Sequence, residues 1–242
     1  MIWIKPRPLL LGHRGARRAA PENSLKAFEL ALAQGCDGFE FDLRCTRDRR
    51  AVLCHDAEIF GREISRSEYQ DLIECGKASA QSQSGCGRAQ APEDCELLPQ
   101  LTDVLARFGK RAFLDIELKC AGMEKSVAAA IAAHKPRACV VSSFIPAVLE
   151  TMRRIAPEIP LGYICDRARE LPRWRKLPCE AVMVNHRLAR PKLVREIHAS
   201  GKKVFVWTVN DRARMRRFAA WGTDGIISDD TALLGRVFGA GD

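Results

Sequence analysis

The stretch GFEFDLR, residues 38–44, alternates apolar and charged side chains in the pattern of a β-strand. Successive side chains of a strand point to opposite faces, so Glu40 and Asp42 share one face while the phenylalanines and the leucine share the other. A third acid, Glu117, follows in the run AFLDIEL, residues 112–118. Buried carboxylates are costly to desolvate, so such a cluster needs a metal ion or a basic side chain beside it. The alternative interpretation is a set of surface acids on edge strands.

Seven other short apolar runs alternate along the chain with amphipathic stretches of helical period, which is typical of βα units and a parallel sheet. The chain has 242 residues, close to the roughly 250 of a closed eight-stranded barrel. No GxGxxG motif follows the first strand to indicate a dinucleotide-binding open sheet. We therefore predict an α/β fold, a TIM (β/α)8 barrel. The predicted strands are residues 8–13, 38–44, 112–118, 139–144, 160–165, 181–185, 203–209 and 224–228.

The βα alternation is interrupted after the second predicted strand. We predict a single barrel domain over residues 1–242, with residues 56–97 as a short insertion within it. Ser65 and Glu68 form a capping-box pattern that predicts a short helix. Residues 77–96 are rich in Ser, Gln, Gly and Ala and are too polar to pack. Because the long βα loops of a barrel lie at its carboxyl mouth, we expect the insertion to cover the site as a lid.

The composition, 47% hydrophobic and 29% charged, is that of an ordinary globular protein. No segment has the roughly 20 apolar residues needed to cross a bilayer, and the start lacks a signal-peptide pattern, so we expect a cytoplasmic protein with no transmembrane segment. The formal net charge is +9, but the basic residues are spread along the chain, so we expect no nucleic-acid partner. The densest basic cluster, residues 212–218, has the spacing of a solvated helix face. The sequence does not indicate an oligomeric state.

The ten cysteines contain no CxxC pair for zinc or redox chemistry. Most of them, such as Cys36, Cys54, Cys139 and Cys165, fall in or beside apolar runs and are expected to be small buried hydrophobic residues. Cys75, Cys86 and Cys95 share one polar stretch and are candidates for disulfide pairing only in an exported protein.

Charged, polar and aromatic residues stand at the carboxyl ends of the predicted strands. All of these ends open on the same mouth of a barrel, where the active sites of this fold are found. We therefore predict one site that collects them. The residues are His13 and Arg14 on strand one, Glu40 and Asp42 on strand two, Glu117 and Lys119 on strand three, Ser143 and Phe144 on strand four, and Trp207 on strand seven.

Seven motifs extend from the first predicted strand to the last: GHRG (12–15) with PENS (21–24), GFEFDLRCTRD (38–48), LCHD (53–56), ELK (117–119), SSF (142–144), WTVN (207–210) and DGIISD (224–229). In this order they resemble the glycerophosphodiester phosphodiesterase family. No single motif would suffice, but seven in the family's order make a specific match. Arg49 and Arg50 depart from the family's pattern, as does ISDDTALL at residues 227–234.

The resemblance implies a metal-dependent enzyme with two catalytic histidines. It implies one divalent cation, Mg²⁺ or Ca²⁺, at Glu40, Asp42 and Glu117, and acid and base catalysis at His13 and His55. Coordination chemistry agrees, because hard cations prefer oxygen ligands whereas zinc more often recruits Cys or His. Free imidazole has a pKa of about 6.5, which suits both roles near neutral pH. We assign His13 as the base and His55 as the acid, and the reverse assignment stays open.

Four further residues are predicted to contact the substrate. Arg14 offers a bidentate fork to a phosphate and Lys119 offers a point charge. Phe144 and Trp207 are either barrel packing or an apolar wall beside the alcohol moiety. His186, which follows the sixth predicted strand, is an additional candidate for substrate contact.

The predicted reaction is hydrolysis of a small-molecule glycerophosphodiester to glycerol 3-phosphate and an alcohol. Direct attack by water and a route through a cyclic phosphate, formed by the substrate's own glycerol hydroxyl, both stay open. An alternative function is that of a lysophospholipase D acting on lysophospholipids, which a wide apolar groove beside Trp207 would favour. A non-catalytic phosphate-binding barrel is a further alternative, although such a protein would not need an acid and base pair.

Overall fold

The computed structural model describes residues 7–83 and 97–239. Eight parallel strands close into a barrel, because the first strand pairs with both the second and the last. The predicted TIM barrel is confirmed, and strands β3, β4 and β5 are additions to it. In chain order the strands are β1 (Leu9–His13), β2 (Gly38–Cys45), β3 (Ala51–Leu53), β4 (Glu58–Ile59), β5 (Arg62–Glu63), β6 (Phe113–Leu118), β7 (Ala138–Ser143), β8 (Leu161–Cys165), β9 (Ala181–Asn185), β10 (Lys203–Trp207) and β11 (Gly225–Ser228).

Helices connect the strands around the outside of the barrel. The last helix was not expected from the sequence, and it begins where the Asp230 side chain accepts a hydrogen bond from the Leu233 amide. The Pro-rich link between β8 and β9 contains a 3₁₀ helix at Leu171–Arg175. The α-helices are α1 (Leu25–Ala33), α2 (Tyr69–Gln83), α3 (Leu101–Phe108), α4 (Glu124–His134), α5 (Pro146–Ile155), α6 (Pro191–Ala199), α7 (Arg212–Ala220) and α8 (Thr231–Phe238).

The alternation in β2 separates its two faces as predicted. Phe39 and Phe41 are fully buried against the helix layer. The ring of Phe39 stacks on Phe28 of α1 at 4.0 Å and meets Phe108 of α3 edge-on at 5.2 Å. Fully burying such a ring stabilises the fold by roughly 1.5–3 kcal/mol. This packing holds β2 in the orientation that turns its acids toward the barrel interior.

The strand register brings the predicted site residues side by side. Asp42 lies opposite Glu117 in the β2–β6 pairing, and His13 lies opposite Glu40 in the β1–β2 pairing. At the other end of β2, a Cβ atom on Gly38 would stand 1.9 Å from the carbonyl oxygen of Phe113, so only glycine permits this close approach. The register therefore places the acids of β2 and β6 at the same level of the barrel.

The first part of the predicted insertion forms a small unit with its own core. A β4–β5 hairpin and a 3₁₀ helix precede α2, which begins at Tyr69 rather than directly after Ser65. The predicted capping box is not formed, because the Ser65 hydroxyl donates to the Glu63 carboxylate 2.5 Å away. The unit is held to β3 by buried apolar contacts. The residues of this cluster are Val52, Ile64, Tyr69, Leu72, Ile73 and Leu98.

Helix α2 extends to Gln83, past residue 77, where the sequence indicated that packing should end. Residues 84–96, which include Cys86 and Cys95, lie outside the described residues. The role of the insertion as a lid stays a prediction. The single domain over residues 1–242 likewise stays one.

Outside the barrel mouth, two expectations can be compared with the structure. Cys36 and Cys165 are buried as predicted, whereas Cys54 and Cys139 are only partly buried. Burial raises the pKa of the Cys36 thiol to about 12. The basic cluster lies on α7 as predicted, with Met215 and Phe218 on its buried side. Within residues 7–83 and 97–239, no helix has both the length and the apolar character needed to cross a bilayer.

Candidate active site

A cleft of about 270 Å³ opens at the carboxyl ends of the barrel strands. Eight of the ten predicted site residues line it, and a ninth, Asp42, is 1% exposed beside them. The tenth, Ser143, is fully buried and is not among the described lining residues, because its hydroxyl donates to the Leu118 carbonyl at 2.8 Å. His186 is not among the residues that line the cleft in the described part of the chain. The predicted residues in the lining are His13, Arg14, Glu40, His55, Glu117, Lys119, Phe144 and Trp207.

The three predicted metal ligands form a compact group. One carboxylate oxygen from each of Glu40, Asp42 and Glu117 lies within 4.8 Å of the other two, and all three residues are buried. Asp42 is held by Asn23, whose side-chain amide donates to Asp42 Oδ2 at 2.9 Å and accepts from the Asp42 backbone amide at 3.2 Å. The interpretation of these residues as surface acids on edge strands is therefore wrong.

Two basic side chains lie against the carboxylates. Arg14 Nε stands 3.1 Å from Asp42, and Lys119 Nζ stands 3.3 Å from Asp42 and 2.8 Å from Glu117. Burial disfavours the ionised form of Asp42, but Lys119 and Arg14 outweigh burial and lower its pKa. The acidic partners likewise raise the pKa of Lys119 against the effect of burial. Both cations and the Asp42 carboxylate are therefore charged at neutral pH.

The loop after β1 is held in an uncommon backbone conformation. Arg14 has φ 56° and Asn23 has φ 55°, values in the left-handed region that cost an L-residue roughly 1–2 kcal/mol. Hydrogen bonds offset this cost, because the Arg14 amide donates to Glu40 at 3.0 Å and the Asn23 amide donates to the Arg14 carbonyl at 3.1 Å. The loop therefore presents Arg14 to the cleft in a fixed position.

The other two carboxylates are less fully neutralised. Burial, reinforced by Asp42 and Glu117, raises the pKa of Glu40 well above its usual value. Burial likewise raises the pKa of Glu117 to about 7, against the opposing effect of Lys119. Among the described residues, buried Glu40 Oε1 has no hydrogen-bond partner. Such a set of oxygen donors fits a hard divalent cation such as Mg²⁺ or Ca²⁺.

A fourth acid, Asp115, lies beneath this group and was missed from the sequence. It is 1% exposed and accepts a hydrogen bond from the Ser142 hydroxyl at 2.6 Å. Burial raises its pKa to about 7. The signal was present in AFLDIEL, because the strand period that turns Glu117 inward also turns Asp115 inward.

We expect Asp115→Asn to stabilise the chelated protein at alkaline pH. A carboxyl group whose pKa is raised by folding binds its proton more tightly in the folded state, so the free energy of unfolding falls as pH rises from about 4 toward 7. The variant has no carboxyl group at this position, so its free energy of unfolding does not fall for this reason as pH rises. In EDTA at pH 8 its free energy of unfolding, measured with urea, should exceed that of wild type by about 4 kcal/mol, and the gap should close toward pH 4. The exposed control Glu158→Gln should show no such pH dependence, and a wild-type advantage at pH 8 would contradict the expectation.

His13 is held by an acid that follows β11. Its Nδ1 lies 2.7 Å from Asp229 Oδ1, and its Nε2 lies 3.9 Å from Glu40. Burial opposes ionisation of Asp229, but His13 and the Asn210 amide lower the Asp229 pKa to about 2. An ionised carboxylate only accepts hydrogen bonds, so His13 Nδ1 carries the proton. This arrangement leaves Nε2 on the side of the carboxylate group.

Asp229 was not identified from the sequence as a site residue. It ends the DGIISD motif and also lies in ISDDTALL, the segment that departs from the family's pattern. In the structure Asp229 contacts His13 and is held in place by Asn210. The Asn210 side-chain amide donates to Asp229 Oδ2 at 2.6 Å, and Asn210 Oδ1 accepts a hydrogen bond from the Asp229 backbone amide at 2.9 Å. The available signal was that Asp229 directly follows the last predicted strand, where an acid would reach the barrel mouth.

We expect Asp229→Asn to lower kcat by about 10- to 100-fold, as removal of a partner that orients a catalytic or ligating imidazole commonly does. An asparagine amide can present either a donor or an acceptor to His13, so the proton position is no longer fixed. The matched control is Asp230→Asn, because Asp230 caps α8 and asparagine retains that function. Steady-state kinetics and thermal unfolding check the pair, and an unchanged kcat for Asp229→Asn would contradict this role.

His55 reaches the cleft from the segment after β3. Its carbonyl oxygen accepts two hydrogen bonds from the Arg44 guanidinium, at 2.9 and 2.7 Å, which fix the backbone at this point. Its Nδ1 lies 2.7 Å from Asp56, and the His55 side chain is 37% exposed compared with 15% for His13. His55 is therefore the histidine nearer to solvent.

Two aromatic rings form one wall of the cleft. Phe144 and Trp207 meet edge-on with centroids 5.7 Å apart. The Trp207 indole donates to the Met183 carbonyl at 3.0 Å, which fixes its orientation. Lys119 Nζ lies 5.7 Å from the centroid of the Phe144 ring. The rings thus pack against the barrel and also line the cleft, and their contact with an alcohol moiety stays a prediction.

The closed barrel and the charged group at its carboxyl mouth are those of an α/β-barrel enzyme. The sequence profile of the Glycerophosphoryl diester phosphodiesterase family matches residues 13–233. The chain therefore belongs to this family. The resemblance seen in the motifs is confirmed, and so is the prediction of a phosphoric diester hydrolase.

Individual relatives match over nearly their whole length. The chain is similar to a glycerophosphodiester phosphodiesterase of Caldanaerobacter subterraneus subsp. tengcongensis, with 30% identity over 237 residues, which are 93% of this chain and 96% of the relative. Among solved structures it resembles a glycerophosphodiester phosphodiesterase from Thermotoga maritima, with a TM-score of 0.77, 22% identity and coverage of 97% of this chain and 100% of the other. It also resembles an Oleispira antarctica phosphodiesterase in complex with the product sn-glycerol-3-phosphate, with a TM-score of 0.76, 24% identity and coverage of 97% and 98%. These two structures support the fold.

Proposed function

We propose that the protein is a divalent-metal-dependent phosphodiesterase that hydrolyses glycerophosphodiesters to glycerol 3-phosphate and an alcohol. The observation that carries the proposal is the buried group of Glu40, Asp42 and Glu117 in a cleft also lined by two imidazoles and two cations. Family membership supports the reaction class. The Oleispira relative, with sn-glycerol-3-phosphate as its product, supports the choice of substrate.

The charges at the site favour a cation together with a diester. Three carboxylates face Arg14 and Lys119, which leaves one negative charge when all five groups are ionised. A divalent cation would reverse this balance to one positive charge, and the single negative charge of a phosphodiester would then make the group neutral. A cation bound by the carboxylates would polarise the phosphoryl oxygens. Arg14 and Lys119 would bind the remaining phosphate charge at the cleft surface.

The histidines divide the two proton transfers of hydrolysis. His13 Nε2, on the side of the carboxylate group, takes the proton from the attacking hydroxyl as that oxygen bonds to phosphorus. His55, nearer to solvent at the cleft edge, gives a proton to the leaving alcohol as its bond to phosphorus breaks. In this arrangement the attacking group can be either water or the substrate's own glycerol hydroxyl.

The size of the cleft favours a small diester over a lysophospholipid. Its volume of about 270 Å³ is slightly below the usual range for small-ligand pockets, roughly 300–1,000 Å³. A glycerol, a phosphate and a short alcohol suit this space. Among the described residues, a fatty acyl chain would extend beyond the apolar wall of the cleft and gain little there from burial.

We expect glycerophosphocholine to be hydrolysed with a kcat/KM at least about tenfold above that of lysophosphatidylcholine. Coupled detection of glycerol 3-phosphate from the first substrate and of choline from both gives the comparison, with added Mg²⁺ or Ca²⁺. A preference for lysophosphatidylcholine would instead identify a lysophospholipase D. Binding of glycerol 3-phosphate without turnover of either substrate would identify a phosphate-binding barrel.

A further inference from the structure

The two sides of the cleft differ in chemistry. The carboxylates, both predicted phosphate-binding cations and His13 come from β1, β2 and β6. The other side comes from β7 to β11 and is mainly apolar. Strand β8 is four positions from β1 around the closed barrel, so the two strands face each other across the mouth. The apolar lining residues are Phe144, Ile164, Met183, Trp207 and Ile227.

One carboxylate interrupts the apolar side. Asp166 follows β8 and lines the cleft, and it is the only acid on this side among the described lining residues. Its side chain is 42% exposed, and Arg167 Nε lies 3.9 Å away on a side chain that is 61% exposed. An ion pair so long and so exposed is weak. Asp166 therefore offers a negative charge to a molecule in the cleft.

Trp207, which lines the same cleft as Asp166, offers a second attraction for a cation. Its indole N–H is bonded to the Met183 carbonyl, which holds the ring as part of the wall. The neighbouring Phe144 ring already has Lys119 5.7 Å from its centroid. An incoming cation would meet repulsion from Lys119 at Phe144, so the Trp207 ring is the more favourable aromatic surface.

We propose that Asp166 and Trp207 select diesters whose alcohol carries an ammonium group, such as ethanolamine or choline. The inference rests on the proposed function, which places the phosphate against the cations and carboxylates on the opposite side. The substrate is then a zwitterion whose negative end faces Arg14 and Lys119 and whose positive end faces Asp166. A neutral alcohol gains no ion pair there, and an anionic one is repelled.

The test compares three diesters by release of glycerol 3-phosphate: glycerophosphocholine, glycerophosphoethanolamine and glycerophosphoglycerol, whose alcohol is uncharged. Asp166→Asn is nearly isosteric but uncharged. It should lower the kcat/KM ratio of each ammonium substrate to glycerophosphoglycerol by roughly five- to tenfold, mainly through KM. Asp166→Glu should restore most of the ratio. The control Glu150→Gln removes a charge from the exposed side of α5 and should leave the ratio at its wild-type value.

The outcomes separate this inference from the proposed function. One outcome is that folded Asp166→Asn hydrolyses glycerophosphoglycerol at the wild-type rate and keeps the wild-type kcat/KM ratio of each ammonium substrate to it. That result overturns the ammonium site and leaves the proposed phosphodiesterase activity intact. An equal loss on all three substrates also overturns it, because a structural defect does not discriminate between alcohols. Failure of the metal-loaded wild-type protein to hydrolyse any of the three diesters overturns the proposed function, and the inference with it.

Discussion

Replacing His13 or His55 with alanine is expected to lower kcat by at least about 10²-fold, the lower limit for loss of a general acid or base. His13 is oriented by Asp229 and His55 is positioned through its backbone by Arg44. Each therefore presents an imidazole to the cleft from a supported position. Steady-state release of glycerol 3-phosphate measures the loss. His134→Ala is the matched control, because His134 lies on α4 with its ring bonded to the Ala130 carbonyl.

The same variants can assign the acid and the base. A p-nitrophenyl diester has a leaving group that departs without protonation, so loss of the acid should matter much less on that substrate. We expect His55→Ala to recover most of its deficit there and His13→Ala to remain impaired. The opposite pattern would exchange the two roles. Wild-type turnover by both variants on both substrates would contradict histidine catalysis.

Removal of divalent metal is expected to lower turnover by more than about 10²-fold, since a metal bound at a phosphoryl centre commonly supplies several kcal/mol of transition-state stabilisation. Without the cation, Glu40 and Glu117 have raised pKa values caused first by burial, so the group holds extra protons in place of metal. Assay after EDTA treatment and desalting, then after addition of Mg²⁺ or Ca²⁺, measures the effect.

Two controls accompany the chelation experiment. Circular dichroism of the treated protein separates loss of metal from loss of fold. Glu117→Gln should raise the Mg²⁺ concentration needed for half-maximal activity, whereas Glu158→Gln, on the exposed surface, should not. Full turnover by the chelated wild-type protein would rule out metal dependence.

The barrel could be predicted because its strands carry strong local patterns. Each of the eight is a short apolar run between helical stretches, and β2 shows its two faces directly in the alternation of Phe39, Glu40, Phe41 and Asp42. Element ends were less predictable. Ser65 matched a capping pattern, but its hydroxyl donates to the Glu63 carboxylate instead. Helix α2 begins only at Tyr69, which packs in the small apolar cluster beside β3.

The sequence predicted the charged residues that meet at neighbouring strand ends, but it did not predict the residue that orients His13 from a distant part of the chain. The meeting of Glu40, Asp42 and Glu117 follows from strand order and period. The contact between His13 and Asp229 joins residues 216 positions apart and depends on closure of the barrel through the β1–β11 pairing. No local pattern reports that pairing.

The central claim is that the three carboxylates bind a divalent cation, and anomalous diffraction from a crystal soaked in Mn²⁺ tests it most directly. We expect one strong peak at about 2.0–2.6 Å from oxygens of Glu40, Asp42 and Glu117, the distances usual for hard cations. A fully soaked crystal in which these oxygens contact only Arg14 and Lys119, with no peak between them, would contradict the account.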